Sequence, residues 1–187
     1  TGNYVPMAGA SEQIPCAAGS YQPSFGQASC ILADPGHYVP ATSYQNQLEC
    51  QLGTFQPYSG ASSCSDAESG HYVDSNGSAS QTDCPPTTYN PATGSDDRED
   101  CIDIEPGHYS AEWGTAEHLE CAPGTYQPNS GQMSCIDADP GHFVSSSGAI
   151  SQLACPAGTY NPSEASGSAA DCTLADLGHF VDNQASS

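Results

Sequence analysis

Aromatic residues recur along this chain in one setting: usually a glycine, then one residue of any kind, then Tyr or Phe, then a polar stretch rich in Gly, Pro, Ser, Asn and Asp. The aromatics in this slot are Tyr4, Tyr21, Tyr38, Phe55, Tyr72, Tyr89, Tyr109, Tyr126, Phe143, Tyr160 and Phe180. Apolar residues cluster at these points and are soon interrupted. The pattern predicts strands of three or four residues around each Gly-x-Tyr, joined by turns, and the Gly and Pro punctuation leaves almost no room for helix. Gly at the start of each unit suits a turn with positive φ or a close approach of backbone. The Pro in Tyr-Gln-Pro and Tyr-Asn-Pro sets an extended or turn geometry. An aromatic that returns once per unit is expected to stack between units and to supply a thin continuous core.

Ten cysteines share this rhythm, at Cys16, Cys30, Cys50, Cys64, Cys84, Cys101, Cys121, Cys135, Cys155 and Cys172, with gaps of 14 or 17 residues alternating with gaps of 20. Shorter segments such as Cys50-QLGTFQPYSGASS-Cys64 alternate with longer ones such as Cys135-IDADPGHFVSSSGAISQLA-Cys155. Both kinds carry the same Gly-x-aromatic start, so the unit is about 17 residues and comes in two forms. A fixed period of this sort means one small structure repeated. The chain divides into a half-unit at 1–15, repeats at 16–49, 50–83, 84–120 and 121–154, and an open repeat at 155–187, forming one continuous array. The expected fold is a small disulfide-rich all-β repeat protein, an elongated rod of stacked β-turn units. Gly2-Asn3-Tyr4-Val5 starts where Gly178-His179-Phe180-Val181 is heading, which suggests a longer array or neighbouring chains that complete one another.

Composition supports this picture. Of 187 residues, 36% are hydrophobic, 19 are Gly, 15 are Pro and only four are Phe, too little material for an enzyme-sized core. Disulfides make good such a shortfall by restricting the unfolded chain, at about 3 kcal/mol for each loop of this length. They persist in oxidising surroundings, which places the protein outside the cytoplasm, secreted or at a cell surface. Zinc held by cysteines would need Cys pairs two to four residues apart, and no Cys-x-x-Cys occurs. The charge is extreme: 22 acidic residues against a single basic one, Arg98, for a formal net charge of −21. Nucleic acid and anionic membrane both require a basic footprint and are excluded as partners. Self-repulsion favours an extended, soluble form that salt or divalent cations would relieve. No run of even ten apolar residues exists, so no membrane insertion is expected of this segment.

Cys-Pro-Ala-Gly-Thr-Tyr at 155–160, with related runs at 84–89 and 121–126, resembles the cysteine-rich repeat of ephrin-receptor-like and tumour-necrosis-factor-receptor-like modules. The resemblance covers nearly the whole chain through short motifs. It implies a disulfide-rich β-repeat fold, and it implies as one function a receptor ectodomain or adhesin that binds a protein ligand through its loops. In those repeats a Cys-x-x-Cys links one unit to the next. Here Ala33 or Ala138 stands near the expected second cysteine of that linker, and Gln47 or Gln152 near the next expected cysteine, so each longer segment has lost a matched pair. Set against the family, this loss implies bridges within the shorter segments, in sequential order: Cys16 to Cys30, Cys50 to Cys64, Cys84 to Cys101, Cys121 to Cys135 and Cys155 to Cys172. Units would then be bridged alternately.

Five histidines, His37, His71, His108, His142 and His179, share a Gly-His-aromatic slot, and Asp34, Glu68, Glu105 and Asp139 lie three residues before four of them. Such a ladder offers metal ligands or simple local partners. Asp137 with Asp139 and Asp103 with Glu105 are candidate calcium ligands, although no calcium-loop motif surrounds them; otherwise no cofactor is expected. The sequon Asn76-Gly77-Ser78 is a glycosylation site on a polar turn. Catalytic motifs are missing, and each cysteine is used by a bridge, so an enzyme is not expected. The sequence points to an extracellular structural repeat protein forming a rod, stalk or surface filament, glycosylated and associating end to end with copies of itself or within a longer array. The alternative is the adhesin or receptor ectodomain, with Trp113 and His118 marking the least regular linker.

Overall fold

The computed structural model describes residues 1–177 and Val181. It is almost all β: ten antiparallel hairpins of two-residue strands, with two short 3-10 turns at Arg98–Asp100 and Ala169–Asp171. First strands lie at Asn3–Tyr4, Ser20–Tyr21, His37–Tyr38, Thr54–Phe55, His71–Tyr72, Thr88–Tyr89, His108–Tyr109, Thr125–Tyr126, His142–Phe143 and Thr159–Tyr160. Each contains the repeated aromatic, as the period predicts. Phe180 and His179 lie outside the described residues.

The local cause of each hairpin is the turn that leads into it. In Asp34-Pro35-Gly36-His37, His37 N–H donates to the Asp34 carbonyl at 3.0 Å and Gly36 sits at φ +79°. Pro at the second position and a left-handed Gly at the third are what a type II turn requires. The residue between Gly and aromatic then caps the same turn in one of two ways. In one class, Ser20, Thr54, Thr88, Thr125 and Thr159 donate their hydroxyls to the carbonyl three residues back, at 2.7–2.8 Å. In the other, Nδ1 of His37, His71, His108 and His142 lies 3.0–3.3 Å from the carbonyl two residues back.

The hydroxyl class is the disulfide class. Bridges join Cys16–Cys30, Cys50–Cys64, Cys84–Cys101, Cys121–Cys135 and Cys155–Cys172, closing every second hairpin, with Cα atoms 5.6–5.7 Å apart. The sequential, alternating pairing is therefore correct, and no cysteine is free.

The described residues form two compact units, residues 1–84 with 90–101, and residues 85–89 with those from 102 onward. The exchange of segments falls inside the repeat at 84–120. Within the first unit, each hairpin hands a hydrogen bond to the next: Gly2, Gly19, Gly36, Gly53 and Gly70 donate N–H to the carbonyls of Gln22, Val39, Gln56, Val73 and Asn90 at 2.7–2.8 Å. The second unit repeats the ladder, Thr87 to Ser110, Gly107 to Gln127, Gly124 to Val144, Gly141 to Asn161 and Gly158 to Val181. Contact reaches further than the neighbour. A Cβ on Gly36 would lie 1.9 Å from the carbonyl oxygen of Gly77, in the hairpin two places along. Close backbone approach, as well as the turn, fixes glycine there.

The core follows from this stacking. Cys16, Ala33, Cys50, Ala67 and Cys84 in the first unit, and Ile104, Cys121, Ala138 and Cys155 in the second, have no exposed surface. The second buried slot is the residue after the aromatic: Val39, Val73, Gln22 and Asn90 in the first unit, Val144, Gln127, Asn161 and Ser110 in the second, each at most 4% exposed. The repeated aromatics themselves are mostly half-buried, Tyr72 alone being classed as buried. Their cross-strand register partners are in most hairpins an exposed Ile or Leu, as in Tyr4 opposite Ile14 and Tyr126 opposite Ile136. Among the described residues the close ring pairs are Tyr89 with His118 and His108 with His118.

The amide in that second slot differs with the loop length. With the cysteines 14 positions apart, Gln22, Gln56 and Gln127 send Nε2 to the carbonyls of Ser29, Ser63 and Ser134 at 2.8–2.9 Å. With 17, the shorter Asn90 and Asn161 bond the hydroxyls of Ser95 and Ser166 instead. Each longer loop then adds a 3-10 turn with a capping box, Asp97 with Asp100 and Ser168 with Asp171.

Candidate functional site

The unbridged hairpins close by a different device, and it builds the site. Counting one unit on from Cys16 and Cys30 reaches Ala33 and Gln47. Gln47 Oε1 accepts the backbone N–H of Asp34 at 2.8 Å while its Nε2 donates to Asp34 Oδ2 at 2.9 Å. Gln81 grips Glu68 in the same way, at 2.8 and 3.1 Å, and Gln152 grips Asp139. An alanine fills the place of the buried cysteine, and a glutamine clamp takes over the work of the bridge.

Of the four unbridged hairpins that carry an acidic residue at the Asp34 position, one departs from this rule. Between Glu105 and Glu120 the clamp slot holds His118, which cannot both accept from a backbone N–H and donate to a carboxylate through one planar amide. Its Nε2 lies 3.9 Å from Glu105 Oε1. Its Nδ1 is buried and has no hydrogen-bond partner. An orphaned buried polar atom costs about 1–3 kcal/mol. His108 stands alongside, ring centroids 4.4 Å apart, with Nδ1 3.9 Å from Glu105 Oε1 and Nε2 4.0 Å from Oε1 of Glu120. Tyr89 meets the His118 ring edge-on at 4.5 Å. One ligand atom from each of Glu105, His108 and His118 lies within 4.8 Å of the others, and among the described residues this is the single such group of three. Glu105 is exposed, whereas the two imidazoles are about four-fifths buried.

The other sequence candidates fall elsewhere. His71 pairs across its hairpin with Asp83, Nε2 to Oδ1 at 3.0 Å. The carboxylates three residues before the histidines go to glutamine in three of four hairpins, so they partner the clamp and not the imidazole. Of the calcium candidates, Asp139 is held by Gln152, Asp137 and Asp103 sit on exposed strand positions opposite Thr125 and Thr88, and Glu105 alone joins a donor cluster. Asn76 is exposed, and its Oδ1 accepts the Leu52 N–H at 3.1 Å. Trp113 is 64% exposed. Sequence reasoning singled out His118 only as a linker oddity; its alignment with Gln47, Gln81 and Gln152 was the signal that located the cluster. The chain matches no protein-family model and no curated protein.

Proposed function

We propose that the chain is an extracellular structural repeat protein, forming a rod or stalk or serving as the protomer of a surface filament, with glycan carried at Asn76. The observation that carries this reading is the repeated ladder: each hairpin in a unit presents its successor with the same N–H and C=O groups at the same spacing. A surface of that kind accepts one more copy of itself as readily as the last, which is how repeat arrays grow. Five disulfides suit an oxidising exterior. A formal charge of −21 keeps such arrays from clumping side to side and leaves end-to-end association to short-range backbone pairing. No helix among the described residues is long and apolar enough to cross a membrane. The shallow, polar surface and the missing catalytic motifs favour scaffold over enzyme.

Electron microscopy of the purified protein tests this. Long filaments of uniform width are expected, and mass spectrometry should place glycan on the peptide carrying Asn76. Monomeric particles that capture a protein ligand through the exposed Trp113 loop, and lose it on Trp113→Ala, would replace this reading with the adhesin or receptor alternative.

A further inference from the structure

We propose that Glu105, His108 and His118 bind a divalent transition-metal ion of the zinc class, a coordination clip that takes the place of the glutamine clamp in this one hairpin. The proposal is independent of whether the chain forms filaments.

Three observations converge. The donor set is two imidazoles and a carboxylate, which suits zinc and not calcium, whose ligands are oxygens. Donor atoms already lie within 4.8 Å of one another, whereas ligands around tetrahedral zinc at 2.0–2.2 Å bond lengths are about 3.4 Å apart. Glu105 Oε1 lies 3.9 Å from a nitrogen of each imidazole, and small side-chain adjustments on all three residues would close the remainder. His108 stands between carboxylates. Its Nδ1 lies 3.3 Å from the Pro106 carbonyl and 3.9 Å from Glu105 Oε1, and its Nε2 faces Glu120, so each ring nitrogen has a carboxylate within about 4 Å. Glu120, across the hairpin from His108 and 4.0 Å from Nε2, lies beside the group without being one of its three members. The third observation is the departure of the sequence itself. Where three sister hairpins keep Gln, this one places His118, which packs against Tyr89 and His108 but gives up both clamp hydrogen bonds and leaves its Nδ1 buried without a partner.

The sister hairpins supply the control. His118→Gln imports the residue of Gln47, Gln81 and Gln152, so it should fold with an unchanged circular-dichroism spectrum. Zinc binding is measured by competition with a chromophoric chelator, in about 0.15 M salt to screen diffuse attraction to the acidic surface, with excess calcium present. Wild type should bind one zinc per chain, and cobalt should give the absorption bands of a tetrahedral nitrogen–oxygen site. His118→Gln and Glu105→Gln should each weaken binding by roughly 10–100-fold or more. His142→Gln, in the same slot of another hairpin, should leave it unchanged. No saturable site in wild type, equal binding by His118→Gln, or equal loss in His142→Gln would overturn the proposal.

Discussion

Gln47 holds Asp34 by two hydrogen bonds at once, from the Asp34 backbone N–H to Oε1 at 2.8 Å and from Nε2 to Oδ2 at 2.9 Å, across thirteen residues. A sister hairpin spans the corresponding distance with the Cys16–Cys30 bridge. The two closures occupy equivalent stretches of one repeated backbone unit. Gln47→Ala removes both bonds and should cost about 1–3 kcal/mol. Hydrogen exchange should show the loss confined to Asp34 and its hairpin, and uniform loosening of the whole unit would contradict a local clamp.

Glycines of the same φ should divide into two classes. Gly36→Ala places a Cβ against the Gly77 carbonyl, whereas a Cβ on Gly9 or Gly26 meets nothing within 4 Å. All three pay the left-handed penalty, about 1–2 kcal/mol. Only Gly36→Ala adds the overpacking cost, typically about 1–3 kcal/mol more. Denaturant melts of the three variants should rank Gly36→Ala clearly last.

Loop length and amide length should be coupled. Asn90 is 1% exposed, and its Nδ2 reaches Ser95 Oγ at 2.8 Å and the His71 carbonyl at 3.2 Å. Asn90→Gln forces an extra methylene into this filled space and should destabilise by about 1–3 kcal/mol. Grafting the 51–63 loop in place of 85–100 in the same chain should recover that loss, because the shorter loop offers a backbone carbonyl where Gln56 finds Ser63. Failure of the graft to recover stability would separate the two features.

Much of this architecture can be read from the residues. Gly36 and its counterparts announce the turns, and the resemblance to cysteine-rich receptor repeats, set against Ala33 and Gln47, implies which bridges form. The core is harder to see. Gln22, Asn90, Gln127 and Asn161 look like surface residues, yet they are buried because each amide satisfies the polar groups of its own loop. The regular spacing of the aromatics suggests that they form the stack. The aromatics are half-buried for the most part, and the places without exposed surface go to the cysteines and to aliphatic residues such as Ala33, Ala67, Ile104 and Val39. Gln47 reads in sequence as a lost cysteine, and only the geometry reveals that it has a function of its own.

The equivalence of bridge and clamp is tested most directly by converting one into the other with the pair Ala33→Cys and Gln47→Cys. Unreduced peptide mapping after folding in air should find a sixth disulfide joining positions 33 and 47 and the five native bridges intact, with the roughly 3 kcal/mol from closing a loop of this length offset by the about 1–3 kcal/mol lost with the clamp. Two free thiols at those positions, or a scrambled pairing that draws in Cys30 or Cys50, would show that the two kinds of hairpin do not share one frame.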